Sequence, residues 1–598
     1  MVRYRRTSQD LPKTDDDFKV SDNHENLVGL STDAGTRTRL RPSGTMGSFM
    51  TTGKNIGIGL LLLGAMCLVG CGKKTEQTLP GHAGSNFGSD SSQPEFPLPV
   101  PSHDALETPD DETSQQQNDS PPIEAVKMRF EPSRRLSRSI VLAEQERTRT
   151  GFQPGDDFSL EAAIQMGQLL RKEWPPLPPL DERALRSQGI RILKGKHLTL
   201  CTDLPPSPEI NNLPNVFDLA VAEYCRFFGV DPKHCAAWQM RGCLIDDLET
   251  FRAADLLGPF PTDLIGYSVD DRLWVREQKS DYFRRHLILH EGVHGFMNDL
   301  FGACGPEWYM ESSAEYLATH RWENGRLELG VLPEHTDDLP GWRRIEMLKG
   351  DIKAGNMKTV DRILRSSVRQ PARQGEPPVD YACVWAFGYL LDRHPQYRDA
   401  YRDMARWLTF RDFSNRFYLR LADRWNELQI DWLCLLDELD YGYDVPRMVL
   451  DPQPGKALVS SMTFEVDASR GWQNAGVALE ADKTYRISAS GRYRLGDNPK
   501  AWFAEPNGVT LRYHKGQALG LLLGAVVPDG LFDAEDEIAP EDLPFLSPML
   551  IGTERELTPE RSGTLYLRVN DSPAELGDNE GSCRVVVEAP LPQGISSY

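Results

Sequence analysis

Two imidazoles and a carboxylate fall within five residues at His290-Glu291-Gly292-Val293-His294. Four residues of helix advance about 6 Å and overshoot one turn by roughly 40°. His290 and His294 therefore leave one face on successive turns and can grip a single ion. Glu291 projects beside them, within reach of a water on that ion but angled away from the ion itself. A second group follows in Glu311, 17 residues after His294, and Glu315, one turn further on and facing the same way. Glu311 supplies a third ligand. Glu315 is the carboxylate expected to receive the other ring N–H of a metal-bound histidine, here toward His290. Three protein ligands leave a fourth position open, as a catalytic zinc requires. Zinc lowers the pKa of its bound water to about 7. Glu291 is the base that would take the proton and later pass it to a leaving amine.

The elements needed to hold these groups can be read around them. Tyr282 to Leu300 reads as a helix, with Leu287, Leu289, Val293, Phe296, Met297 and Leu300 giving it apolar surface on more than one side. Such a helix is central, and polar groups inside it need a reason, because unpaired ones are costly there. Glu311 and Glu315 sit on a second helix, expected from about Tyr309 to Arg321. Upstream, Gly189 to Thr202 alternates like a strand pair, and Val216 to Phe228 reads helical. Leu160 to Trp174 reads as an amphipathic helix capped by Ser159 and stopped by Pro175-Pro176. Downstream, Trp342–Lys353, Thr359–Ser367, Ala382–Leu391, Tyr397–Leu408 and Trp425–Leu439 read as helices. A small sheet beside the metal-binding helix, followed by a helical lobe, makes an α+β catalytic domain.

The constellation resembles the gluzincin metallopeptidases, the thermolysin-like clan with a His-Glu-x-x-His helix and a glutamate third ligand. The likeness is to the bacterial envelope branch reading Pro-x-Trp-x-x-Glu-Gly-x-Ala-Glu, which stands here as Pro306-Glu307-Trp308-Tyr309-Met310-Glu311-Ser312-Ser313-Ala314-Glu315. It covers roughly residues 190 to 445. Ser312 replaces the glycine of that pattern, which leaves close helix approach less assured. The resemblance implies a zincin-like fold and two further parts. One is an edge strand that pairs with the substrate backbone, for which Asp271-Arg272-Leu273-Trp274-Val275-Arg276 is the candidate, centred on Trp274. The other is a downstream Tyr or His that steadies the oxyanion. Tyr381 is the first choice, with His320 and His286 as lesser alternatives.

Beyond Asp451-Pro452-Gln453-Pro454-Gly455 the pattern changes to short alternating runs. They are Met462–Val466, Val477–Leu479, Thr484–Ala489, Val509–Tyr513, Leu519–Val527, Thr564–Val569 and Arg584–Glu588, expected to build an all-β sandwich or jelly roll. Within them, Asn570-Asp571-Ser572-Pro573-Ala574-Glu575-Leu576-Gly577-Asp578-Asn579-Glu580-Gly581-Ser582 resembles the calcium loop of PA-IL-type galactophilic bacterial lectins. The resemblance implies that Asp571, Glu575, Asp578 and Asn579 hold Ca2+, an ion suited by hard oxygen donors. No counterpart of the sugar-contacting residues stands out, so the likeness speaks to fold more than to glycan binding.

The amino-terminal part speaks to location. Lys54 precedes an apolar run from Ile56 to Val69 ending Leu68-Val69-Gly70-Cys71. At about 14 residues the run is short for a membrane span but suits a signal peptide. Its ending resembles the bacterial lipobox, which implies lipidation of Cys71. The expected order is an upstream extension at 1–45, a lipoprotein signal at 46–71, a disordered tether at 72–125, the metallopeptidase domain at 126–450 and the β-domain at 451–598. A net charge of −21 argues against nucleic acid as a partner. Eight cysteines lie beyond the signal: Cys201, Cys225, Cys235, Cys243, Cys304, Cys383, Cys434 and Cys583. An exported protein can pair some of them, but sequence does not say which.

The sequence thus reads as a lipid-anchored, exported cell-envelope zinc endopeptidase acting on peptides or proteins, with a lectin-like accessory domain and glycan as a further partner. Two alternatives stand beside it. One is a catalytically inactive, zinc-containing glycan- or protein-binding surface lipoprotein. The other is a structural surface protein whose β-domain does the work.

Overall fold

The computed structural model describes residues 138–150, 158–171, 177–366, 381–497, 500–534 and 537–589. The extension at 1–45, the signal with Cys71, the tether at 72–125 and the prolines at 175 and 176 lie outside the described residues. The architecture is mixed α/β: a five-stranded sheet, a helical lobe, and a set of β-sheets toward the carboxyl end, with no closed barrel among the described residues.

The first sheet contains β1 (Arg191–Lys194), β2 (Leu198–Thr202), β3 (Met240–Ile245), β4 (Gly266–Val269) and β5 (Arg272–Arg276), in the spatial order β1-β2-β3-β5-β4. Strands β2, β3 and β5 run parallel, while β1 and β4 are antiparallel to their neighbours. Leu198, Leu200, Leu273 and Val275 point to the core shared with the helices. On the other face Cys201, Cys243, Tyr267 and Trp274 join a smaller cluster with Phe251 and Phe260. Alternation with period two places one set on each face.

The sequence-predicted edge strand needs correction. Arg272–Arg276 is β5, and it is interior: Trp274 stands opposite Cys243 of β3 on one side and Tyr267 of β4 on the other. Its indole N–H donates to the Leu256 carbonyl at 2.8 Å, and the residue is only 2 % exposed. The edge is β4, a four-residue strand whose Gly and Ser gave little periodic signal.

The histidine helix, Asp281–Phe301, starts at Ser280, whose Oγ accepts from the Phe283 N–H at 3.2 Å, and ends at Gly302 with φ +72°. That left-handed conformation suits glycine. Nearly every residue of this helix is buried, because it crosses the sheet on one side and packs on helices on the others. Gly292 allows Phe217 and Tyr224 of helix Pro208–Phe228 to approach, and Gly295 admits Met240 of β3. The glutamate helix spans Glu307–Ala318. It starts two residues earlier than expected and stops three earlier, because Thr319 is extended and His320 opens a hairpin, paired with Leu329. Helices Arg344–Lys353, Val360–Leu364, Tyr381–Arg393, Arg398–Asp403 and Trp425–Glu438 build the lobe. Ser312 meets the tyrosine helix, Tyr381–Arg393, at Gly388, where any Cβ would come within 2.5 Å of its Oγ. The small residue missing from the glutamate helix has its counterpart on the partner helix.

The carboxyl-terminal strands form two main sheets. One runs Asn507–His514, Gln517–Pro528, Gly563–Val569, Gln473–Leu479, Lys456–Ala457; the other runs Glu554–Leu557, Tyr485–Ser490, Ser582–Glu588, Met462–Asp467. Val477, Leu565 and Leu567 of the first share a core with Val466, Ile487 and Val585 of the second. A further cluster joins Ile430 and Leu433 of helix Trp425–Glu438 to Leu523 and Tyr566. At that junction the Arg568 guanidinium, buried, pairs with Glu438.

Candidate metal centre

Three ligand atoms converge where the histidine and glutamate helices meet. His290 Nε2 lies 3.1 Å from His294 Nε2, and Glu311 Oε2 lies 3.3 Å and 3.6 Å from the two. Ligands at 2.0–2.1 Å from a tetrahedral zinc stand about 3.3 Å apart, so this spacing fits a common ion. The electrostatics agree. Glu311 is fully buried, and beyond the two histidines neither of its oxygens has a hydrogen-bond partner. Such a group is rare in a folded protein without a bound ion or water. Burial works against its charge, yet His294 and His290 hold its carboxyl down at about 2. This buried His/Glu group could hold a metal ion.

Glu315 lies one turn along. Its Oε1 is 3.3 Å from His290 Nδ1, and its Oε2 is 3.5 Å from His286 Nε2. His286 is wholly buried, with Nδ1 3.0 Å from the Ala318 carbonyl. His286, His290 and Glu315 form a second group close enough to share an ion. There, however, the Arg344 guanidinium already supplies positive charge, donating to both Glu315 oxygens at 2.8 Å and 3.0 Å. Arg344 gave no signal in the sequence, since it comes 29 residues after Glu315 on another helix. His320 sits away from the ligands. Its Nε2 accepts from Arg285 at 3.1 Å and its ring stacks on Tyr282 at 4.5 Å.

Glu291 is 2 % exposed and lies against β4. A Cβ on Gly266 would come within 2.7 Å of its Oε1, and Ser268 is a hydrogen-bond partner. Burial pushes the Glu291 carboxyl up, while His290 and His294 oppose the shift. Tyr381 opens its helix with its ring 6.3 Å from that of His290. Burial raises its hydroxyl well above the ordinary value, and the charges of Glu311, Glu315 and Glu291 add to the rise. The structure thus brings His290, Glu291, His294, Glu311, Glu315 and Tyr381 to one place, while Trp274 lies on the far face of the sheet.

Of the side chains expected to hold calcium, Asp571 and Asn579 are in direct contact. Asp571 accepts from the Ser572 N–H at 2.7 Å and from Asn579 Nδ2 at 2.9 Å. Glu575 turns to Arg512, whose guanidinium contacts both of its oxygens and also feels the charges of Asp571 and Asp578. Arg512 thus brings a cation from another strand into the acidic loop. Among the described residues the groups of three or more close His, Cys, Asp or Glu ligand atoms lie around His290.

No helix among the described residues is long and apolar enough to cross a membrane. No family model and no curated protein matches the chain. Among solved structures, one described as "EclA N-terminal domain; PllA-like lectin" is similar at 24 % identity over 22 % of this chain and 96 % of that one, with a TM-score of 0.16, a weak likeness.

Proposed function

We propose that the chain is a zinc-dependent endopeptidase of gluzincin type. The observation that carries this reading is the convergence of His290 Nε2, His294 Nε2 and Glu311 Oε2 at 3.1–3.6 Å, with both oxygens of the buried Glu311 otherwise unbonded. His290, His294 and Glu311 would hold the zinc, which when bound would polarise a peptide carbonyl and acidify water at the remaining position. Glu291 takes the proton of the attacking water and hands it to the leaving amine. The edge strand β4, whose Gly266 lies against Glu291, offers backbone N–H and C=O groups to an extended peptide. Tyr381 stays protonated at neutral pH and donates to the oxyanion. Arg344 fixes Glu315, and Glu315 orients His290.

The remaining readings rest on sequence. The lipobox-like ending at Cys71 supports a lipid-anchored, exported protein in a cell envelope. The loop from Asn570 to Ser582 supports a lectin-like accessory domain that holds the enzyme near glycans. A glycan array on the full chain tests the accessory role, and binding to no glycan removes it.

Turnover is tested with a broad peptide library, comparing the zinc-loaded chain with Glu291→Gln. Cleavage that falls by about 10³-fold or more in the variant, with zinc retained, supports the peptidase. A zinc-loaded wild type that cuts nothing leaves the catalytically inactive binding protein in its place.

A further inference from the structure

Two cysteines lie behind the histidine helix, away from the metal ligands. Cys225 is in the last turn of helix Pro208–Phe228, and Cys235 closes the short 3-10 turn Pro232–Cys235. Their sulfur atoms are 3.2 Å apart, and the residues are 3 % and 2 % exposed. A disulfide needs about 2.04 Å between sulfurs, so the two approach to within roughly 1.2 Å of bonding distance without rearrangement of the chain. The intervening segment is already fixed. Gly229 turns the chain with φ +67°, the Val230 N–H donates to the Cys225 carbonyl at 2.8 Å, and Asp231 caps the following turn through the Lys233 N–H at 3.0 Å. The Trp238 N–H then returns to the Cys235 carbonyl at 3.0 Å.

We propose that Cys225 and Cys235 form a disulfide that staples the support of the metal-binding helix. The neighbouring contacts say what the staple would hold. Tyr224, the residue before Cys225, donates from its hydroxyl to the Leu289 carbonyl at 2.9 Å. Phe228 stacks on Phe296 at 5.6 Å, and Trp238 meets the same ring edge-on at 5.6 Å. Leu289, Gly292 and Phe296 are the face of the histidine helix that rests on this region, one turn at a time beside His290 and His294. A bond between the helix end and the turn before β3 therefore keeps the platform of the metal ligands from fraying.

The oxidation balances by thiol–disulfide exchange with a disulfide-bearing oxidant, either a small-molecule disulfide or a protein disulfide. One cysteine thiolate attacks the oxidant, forming a mixed disulfide and releasing one thiol. The second cysteine attacks the mixed disulfide, forms the Sγ–Sγ bond and releases the second thiol. The two cysteines lose two electrons, and the two protons they give up are carried by the released thiols. Because both sulfurs are buried in the folded chain, the exchange takes place during folding or on local opening of the 3-10 turn.

The test uses the full chain, folded in a glutathione and glutathione-disulfide buffer. Free thiols are alkylated under denaturing, non-reducing conditions and the chain is digested for mass spectrometry. The expected product is a peptide pair joined through Cys225 and Cys235, lighter by two hydrogens than the separate thiol peptides and separated by reductant. Recovery of both cysteines alkylated, or a bridge from either to another cysteine, overturns the proposal. Thermal unfolding supplies a second readout. Reductant should lower the midpoint of the wild type by about 3 °C or more, and should leave Cys225→Ser and Cys235→Ser unmoved while Cys434→Ser still responds. An equal response of all four proteins would overturn it as well.

Discussion

The carboxylate of Glu291 rests against the Cα of Gly266, so close that a Cβ there would stand 2.7 Å from Oε1. An edge strand and a candidate base thus share one contact. Gly266→Ala keeps an ordinary backbone conformation, since this glycine does not need a positive φ. The methyl should push Glu291 aside by about 1 Å. Displacements of that size at a reacting group cost on the order of 10²-fold in rate. We expect kcat/KM to fall by about that factor while zinc content and unfolding midpoint stay near wild type. A variant with unchanged kinetics would show that Glu291 does not work from this position.

Arg344 is expected to matter for metal affinity rather than for the chemical step. Its two bonds to Glu315, at 2.8 Å and 3.0 Å, fix the carboxylate that faces His290. Loss of such a supporting group usually weakens metal binding by about 10- to 100-fold. Arg344→Gln should therefore give up zinc to a chelator at correspondingly lower concentration. Arg344→Lys should recover little, because an ammonium cannot reproduce the fork. Chelator titration followed by zinc release distinguishes these outcomes.

A buried carboxylate in the helical lobe should give stability a pH dependence. Burial pushes Asp431 up to about 7, although the Tyr397 hydroxyl donates to it at 2.6 Å. Its folded pKa thus lies above the unfolded value of about 3.9. The folded state binds the proton more tightly, so this contribution is present at low pH and is lost as pH rises toward 7. The slope from this group is on the order of 1 kcal/mol per pH unit between pH 4 and 7. Asp431→Asn should flatten the curve of unfolding free energy over that window, and identical curves would contradict the assignment.

The junction between lobe and β-domain contains a buried ion pair, Arg568 with Glu438. Removing Arg568 leaves the buried Glu438 with His514 alone, 3.3 Å away, at a cost of up to about 3–5 kcal/mol. Arg568→Ala should lower the unfolding midpoint and separate the melting of the β-domain from that of the helical lobe. Differential scanning calorimetry reads both effects, and a single transition at the wild-type temperature would show the pair to be unimportant.

The parts of the site legible in sequence were those set by local spacing. The four-residue step between His290 and His294, and between Glu311 and Glu315, fixes which side chains share a helix face, and the structure adds how the two faces meet. Parts set by distant chain were not legible. Alternation in Asp271–Arg276 describes any half-buried strand, and only pairing with β4 and β3 decides that it lies inside the sheet. Arg344 reaches Glu315 from another helix, and Arg512 reaches the acidic loop from a strand some sixty residues before Glu575. Neither has a local pattern that would announce it. The major β-strands of the last 150 residues were visible through alternation, while short ones such as Trp502–Ala504 and Glu554–Leu557 offer too few residues for a period to register.

The central claim is that His290, His294 and Glu311 hold one zinc ion. Elemental mass spectrometry on the purified full chain tests it most directly, beside a His290→Ala, His294→Ala double variant. The account predicts about one zinc per chain in the wild type and none above background in the variant. A wild type that carries no zinc, even after incubation with zinc and removal of excess, would contradict it and leave the β-domain as the better place to look for function.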